Sequence, residues 1–153
     1  MARCSPLLAV VVFPLACVSA PTQAPGPVLP ATPDAVVLEY QRSGGFAGLD
    51  DHLILRADRR MTLRRRAGPS TSVLDQGAYD AIMRDLDQSR PDTWSAGPPV
   101  PCCDRIEHVL TARGRTLRFP GDAVPAAVSA LVSRLDRLIT STARTLPGSG
   151  RFP

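Results

Sequence analysis

Few side chains in this sequence are of a kind that does chemistry, and none stand at a spacing that would let them do it together. Cys102 and Cys103 are adjacent. Neighbouring cysteines close only a strained ring, and no further His or Cys stands at a spacing that would complete a zinc site. The pair therefore reads as a strained disulfide, as two free thiols or as an intermolecular link. The two histidines, His52 and His108, each sit inside an alternating apolar run, and such positions read as structural or surface residues. Asp50-Asp51 reads as a solvated pair in a turn. Gly44-Gly45 with Gly48 lacks the helix and the lysine that a phosphate loop needs. There is no His-Glu-x-x-His and no nucleophile elbow. The expectation is a protein with no catalytic residues, no cofactor and no metal. Such a protein acts by binding.

The stretch best suited to binding is Arg42-Ser43-Gly44-Gly45-Phe46-Ala47-Gly48, with Asp50 just beyond it. It connects two strand-like runs, Val36 to Gln41 and His52 to Arg56, whose β-branched, aromatic and leucine residues suit a pleated surface. Its glycines permit positive φ and close approach of foreign backbone. The one large apolar side chain, Phe46, has two fates open to it. It folds back into the core, or it points outward and anchors a partner.

A first strand running into this loop resembles the start of the emfourin-like family, which takes its name from the protein inhibitor of protealysin, a thermolysin-like zinc metalloprotease. The likeness extends from about Val36 to about Leu138 and includes Gly121-Asp122-Ala123-Val124-Pro125. It implies an inhibitor whose partner is a thermolysin-like metalloprotease. The protease-binding residues it implies are Arg42, Ser43, Gly44, Gly45, Phe46, Ala47, Gly48 and Asp50. Phe46 would fill the apolar subsite just after the cleaved bond, with Arg42 and Asp50 orienting the loop on the rim. The competing expectation is a non-catalytic surface lipoprotein of the same fold that binds an envelope component or another protein.

Around the loop, the chain predicts an α+β domain over residues 35–144: an antiparallel sheet of about five strands with two helices packed on one face. Val36, Leu38 and Tyr40 alternate with Val37, Glu39 and Gln41, as in a half-buried strand. Leu53 and Leu55, then Met61 and Leu63, continue the apolar face on either side of a turn at Ala57 to Arg60, which makes a meander. Arg64-Arg65-Arg66 reads as the charged end of an edge strand, and Ala67 to Thr71 as a loop. Leu74, Ala78, Ile82 and Leu86 mark a helix capped by Asp75 or Ser72. Trp94 pins the Pro-rich stretch from Gln88 to Pro101 to the body of the domain. Ile106 to Leu110 and Leu117 to Phe119 flank a tight turn at Ala112 to Arg115. Asp122 is predicted to cap the second helix, with Pro125 in its first turn. Its stripe is Val124, Val128, Leu131, Leu135 and Leu138.

A chain of 153 residues with 44% hydrophobic content suits one such domain. All 18 of its basic Lys+Arg residues are arginine and the net charge is +4. That balance permits weak attraction to anionic surfaces without requiring nucleic acid, and no nucleic-acid partner is expected. Residues 1–17 read as a signal peptide, with Arg3 before an apolar run from Leu7 to Leu15 that is too short to span a bilayer. Ala16-Cys17 at its end resembles a lipobox, so Cys17 is the expected lipidation site and the protein an envelope lipoprotein held by a lipid anchor. Cleavage after Ala20, giving a secreted protein, is the alternative. Residues 18–34 form a Pro-rich tether, and residues 145–153 are expected to be disordered.

Overall fold

The computed structural model describes residue 32, residues 34–97 and residues 105–144. The leader, Cys17, Cys102, Cys103 and residues 145–153 lie outside the described residues, as does the tether apart from residues 32 and 34. Among the described residues no helix is long and apolar enough to cross a membrane.

The described residues fold as α+β, with six antiparallel strands and two α-helices. In chain order the strands are β1 (Val36–Gly44), β2 (Leu49–Arg56), β3 (Arg60–Arg64), β4 (Ser70–Val73), β5 (Ile106–Ala112) and β6 (Arg115–Pro120). The helices are α1 (Gln76–Gln88) and α2 (Ser129–Arg144). The sheet order is β4-β3-β2-β1-β5-β6, so the two meanders predicted from sequence join through β1 and β5. Alternation along the strands puts Leu38, Tyr40, Leu53, Leu55, Met61, Leu63, Leu110 and Phe119 on one face. They form a single core with Ile82 and Leu86 of α1 and with Leu131, Val132, Leu135 and Ile139 of α2. Both helices therefore cover the same face, because period 2 in the strands and period 3.6 in the helices each produce one apolar side.

Local signals explain several boundaries. Asp75 accepts a hydrogen bond from the Ala78 amide at 2.8 Å, which caps α1. The Trp94 indole donates to the Ser89 carbonyl at 3.1 Å and is buried, so it does pin the segment after α1. Arg113 and Gly114 both have positive φ, 51° and 72°, the geometry of the tight primed turn that matches strand twist.

Five sequence expectations are corrected. The sixth strand is β4, Ser70-Thr71-Ser72-Val73, which begins inside the stretch read as a loop, Ala67 to Thr71, and runs past it. Three of its residues are polar and its one apolar residue, Val73, is exposed, so they carry no buried alternation, and only pairing with β3 makes them a strand. β4, not the end of β3, is therefore the edge at that side. The second helix begins at Ser129, not at Asp122. Pro125 is itself extended, with ψ of 137°, and a single 3-10 turn over Ala126–Val128 intervenes. The buried stripe shifts accordingly to Val128, Leu131, Val132, Leu135 and Ile139, with Leu138 only half-buried. Finally, Asp50 and Asp51 lie inside β2, not in a turn, and Asp51 is buried.

Candidate functional site

The hairpin between β1 and β2 closes through Gly45 to Gly48, with the Gly48 amide donating to the Gly45 carbonyl at 2.9 Å. Its root is held on both sides. Gly44 is opposite Leu49 of β2 and also opposite Ile106 of β5. Gly44, Gly45 and Gly48 have φ of 98°, 69° and 58°, conformations that favour glycine. At Gly44 there is a second requirement, since a Cβ there would lie 2.4 Å from the Arg105 carbonyl oxygen. The turn thus has one backbone shape, determined by two neighbouring strands.

Phe46 stands at the tip and is 93% exposed. It is not part of the core, so of its two possible fates the outward one is realised. A solitary exposed apolar side chain is common on protein surfaces. This one differs in sitting on a rigid turn, beside Ile106, which is also exposed and whose Cγ1 would lie 3.2 Å from a Cβ on Gly45. Ala47 and Asp50 are exposed, and Ser43 and Gly48 are half-buried.

Arg42 is placed differently from the rim position expected of it. It turns under the sheet towards α2. Its Nη2 meets Asp51 Oδ2 at 2.5 Å and its Nη1 meets Asp136 Oδ1 at 3.0 Å. Asp51 is also 3.0 Å from Arg65 Nε. That N–H is poorly aligned for a hydrogen bond, so the contact is an ion pair. Arg65 in turn donates through Nη2 to the Ile139 carbonyl at 2.5 Å. Two arginines and two aspartates therefore tie the root of the loop to α2. Burial disfavours the charge on Arg42, but Asp51 and Asp136 outweigh it and hold its pKa above the ordinary value.

Next to Arg42 the tie continues through Tyr40 and His108. The Tyr40 hydroxyl is 2.9 Å from Asp136 Oδ1 and 2.6 Å from His108 Nδ1. The hydroxyl has one proton, and an ionised carboxylate can only accept. Tyr40 therefore donates to Asp136, and His108 Nδ1–H donates to Tyr40. Burial first, then the nearby Asp136 charge, raise the Tyr40 phenol far above its usual pKa, so it stays a donor. His108 is buried, with its ring stacked on Phe119 at 5.3 Å between centroids. Burial lowers its pKa, against an opposing pull from Asp136, so the folded protein holds it neutral where an exposed histidine would be charged.

Below about pH 6.5 the unfolded chain binds a proton at His108 while the folded chain still does not. Stability contributed by this residue is full above that pH and falls as pH drops towards the lowered folded value. Melting temperatures at pH 7.5 and pH 5 should differ more for the wild type than for His108→Gln. Equal differences would show that His108 titrates no differently in the folded protein.

Gly121-Asp122-Ala123-Val124 comes back to the same end of the sheet. The Gly121 amide donates to the Ile106 carbonyl at 2.7 Å, and Asp122 faces Arg105 across 3.8 Å. The root of the hairpin and Gly121 to Val124 are thus neighbours in space, although more than seventy residues separate them in sequence. Between them lies a depression of about 440 Å³. Among the described residues there is no group of three or more His, Cys, Asp or Glu side chains placed to hold a metal. The sequence did not point to Asp51, Arg65, His108 or Asp136 as partners of this loop. Only His108, between Ile106 and Leu110 on one face of its run, breaks an apolar pattern; Asp51 beside Asp50, Arg65 within Arg64-Arg65-Arg66 and Asp136 between Arg134 and Arg137 read as ordinary surface charges. No protein-family model matches the chain, and no curated protein matches it.

Proposed function

We propose that the chain is an exported, non-catalytic inhibitor of a thermolysin-like zinc metalloprotease, and that the hairpin from Ser43 to Asp50 is its contact. The observation that carries this is the 93% exposure of Phe46 at the tip of a turn clamped by two strands. Enzymes of this class favour a large apolar side chain just after the cleaved bond and bind extended backbone beside the zinc. Gly44, Gly45 and Gly48 keep the backbone thin, and Phe46 fills the apolar subsite. The ladders from β1 to β2 and β5 fix the loop before it binds, which lowers the entropy lost on association. If the enzyme were to cut the loop, those ladders would keep both ends in place, and religation would compete with release. Arg42 supports the loop from beneath; Asp50, exposed beside it, is left for the rim.

The test is direct. Thermolysin is titrated with the purified full-length protein while hydrolysis of a chromogenic peptide is followed. Inhibition that saturates near one inhibitor per enzyme and is relieved by excess substrate supports the proposal. Undiminished hydrolysis at a large excess of the protein overturns it for this enzyme class.

In the cell the domain would be held outside the cytoplasm by a diacylglyceryl group on Cys17, with residues 18–34 as the spacer. Several acyl chains anchor firmly where one does not. Cys17→Ser should move the protein from the membrane fraction to the soluble fraction and abolish uptake of labelled palmitate. A wild type that takes up no label would rule this out.

A further inference from the structure

The depression beside the hairpin is built of parts whose hydrogen-bonding capacity is lopsided. Its walls are apolar: Leu49, Ile106 and Val124. Its polar side chains are those of Arg42, His108 and Asp136, with Arg105 and Asp122. The terminal nitrogens of Arg42 are taken up by Asp51 and Asp136, and Asp136 Oδ1 is taken up by Tyr40 and Arg42. His108 Nδ1 is used by Tyr40, which makes that nitrogen the donor and leaves Nε2 as a bare lone pair. Among the described residues nothing hydrogen-bonds to His108 Nε2 or to Asp136 Oδ2. What the depression offers a ligand is therefore two acceptors inside an apolar wall. Arg105 and Asp122 at its edge face each other at 3.8 Å, so the edge adds no net charge.

We propose that this depression is a binding site for a cationic side chain, a guanidinium or ammonium head on an aliphatic stem, supplied by the protein that Phe46 contacts. Lys and Arg carry donors and no acceptor, which matches the two open acceptors, His108 Nε2 and Asp136 Oδ2. The aliphatic stem lies against Leu49, Ile106 and Val124, while the head reaches Asp136 Oδ2 and His108 Nε2. Ile106 lines the depression and also underlies Gly45, so one partner surface reaches both Phe46 and this site. The choice of partner rests on the inhibitor proposal above. The chemistry of the site does not.

The experiment uses n-butylguanidinium as the probe, titrated into the full-length protein and followed by the NMR resonances of the His108 ring, with butyrate as an anionic control of similar stem. Butylguanidinium should shift the His108 ring signals saturably at about millimolar concentration, and butyrate should not. Gly121→Ala sets a methyl group about 3.0 Å from His108 Nε2. Gly121 has no positive φ that would forbid alanine, so this variant should fold and bind the probe about tenfold more weakly or worse. Val124→Trp, at a half-buried position, provides a second block should Gly121→Ala unfold. Absence of a saturable shift, preferential binding of butyrate, or unchanged binding in a folded blocking variant overturns the site. Because the probe experiment contains no protease, its failure leaves the inhibition assay untouched. If the probe binds while thermolysin is not inhibited, the site stands and the partner class is wrong.

Discussion

Phe46→Ala should leave the melting temperature of the domain within about 3 °C of wild type while weakening inhibition of a thermolysin-like protease by about thirtyfold. The stability half follows from exposure. At 93% exposed, the ring makes almost no contact that folding adds, and substitutions at such positions usually stay within about 0.5 kcal/mol. The binding half follows from the same number. Nearly the whole ring remains to be removed from water by a partner, and a central aromatic anchor is worth about 2 kcal/mol when truncated, equivalent to about thirtyfold in affinity. Measuring both quantities on one variant separates the causes. A fall in stability would contradict the exposed position. Unchanged inhibition would move the contact away from the hairpin tip. Phe46→Leu should fall between, since it keeps an apolar filling with less area.

Asp51→Ala is expected to produce the largest loss of stability among the polar positions of the site, about 3 kcal/mol. Asp51 is buried and lies between Arg42 and Arg65, at 2.5 Å and 3.0 Å. Removing it leaves one half-buried guanidinium with a single carboxylate, Asp136, and another with only a carbonyl, that of Ile139. Breaking a buried ion pair from one side usually costs about 3–5 kcal/mol because the remaining charge stays desolvated. The lower end applies here because both arginines keep some contact with water. Urea unfolding should show the loss as a lower midpoint at an unchanged slope. The double variant Asp51→Ala, Arg65→Met removes one stranded charge along with its partner and should recover part of the loss. If Asp51→Ala costs under about 1 kcal/mol, the cluster is a solvated surface group in energetic terms. The same variant should loosen the hairpin, because Arg42 would lose its tie two residue pairs below Gly44 and Leu49. A drop in inhibition larger than the drop in folded fraction would reveal that loosening.

Much of the fold could be read from the sequence because much of it is set locally. Alternation identified the apolar faces of β1, β2, β3 and β5, and spacing near 3.6 identified α1 and the body of α2. The cap at Asp75, the turn at Arg113-Gly114 and the anchoring by Trp94 each rest on residue chemistry within a few positions. The hairpin was legible for the same reason, since glycines between two strand-like runs are a local signal.

What the sequence could not determine were the properties that arise between elements. β4 has no pattern of its own and is a strand only because β3 lies beside it. Helix α2 starts late because Pro125 is extended and a 3-10 turn follows it, while the apolar stripe reads straight through. Asp51 looked solvated beside Asp50. Its burial depends on Arg42 across the ladder and Arg65 one strand further out, together with the strand alternation that turns one aspartate in and the other out. Phe46 shows the division most clearly. Its chemistry and its glycine neighbours were plain, yet both a buried and an exposed ring fit them equally well. Pairing Gly44 with Leu49 on one side and Ile106 on the other decided the matter, because a root clamped between two strands projects the turn beyond the sheet. Tertiary structure also brought Gly121 to Val124 beside that root and so created a depression that no single stretch of sequence contains.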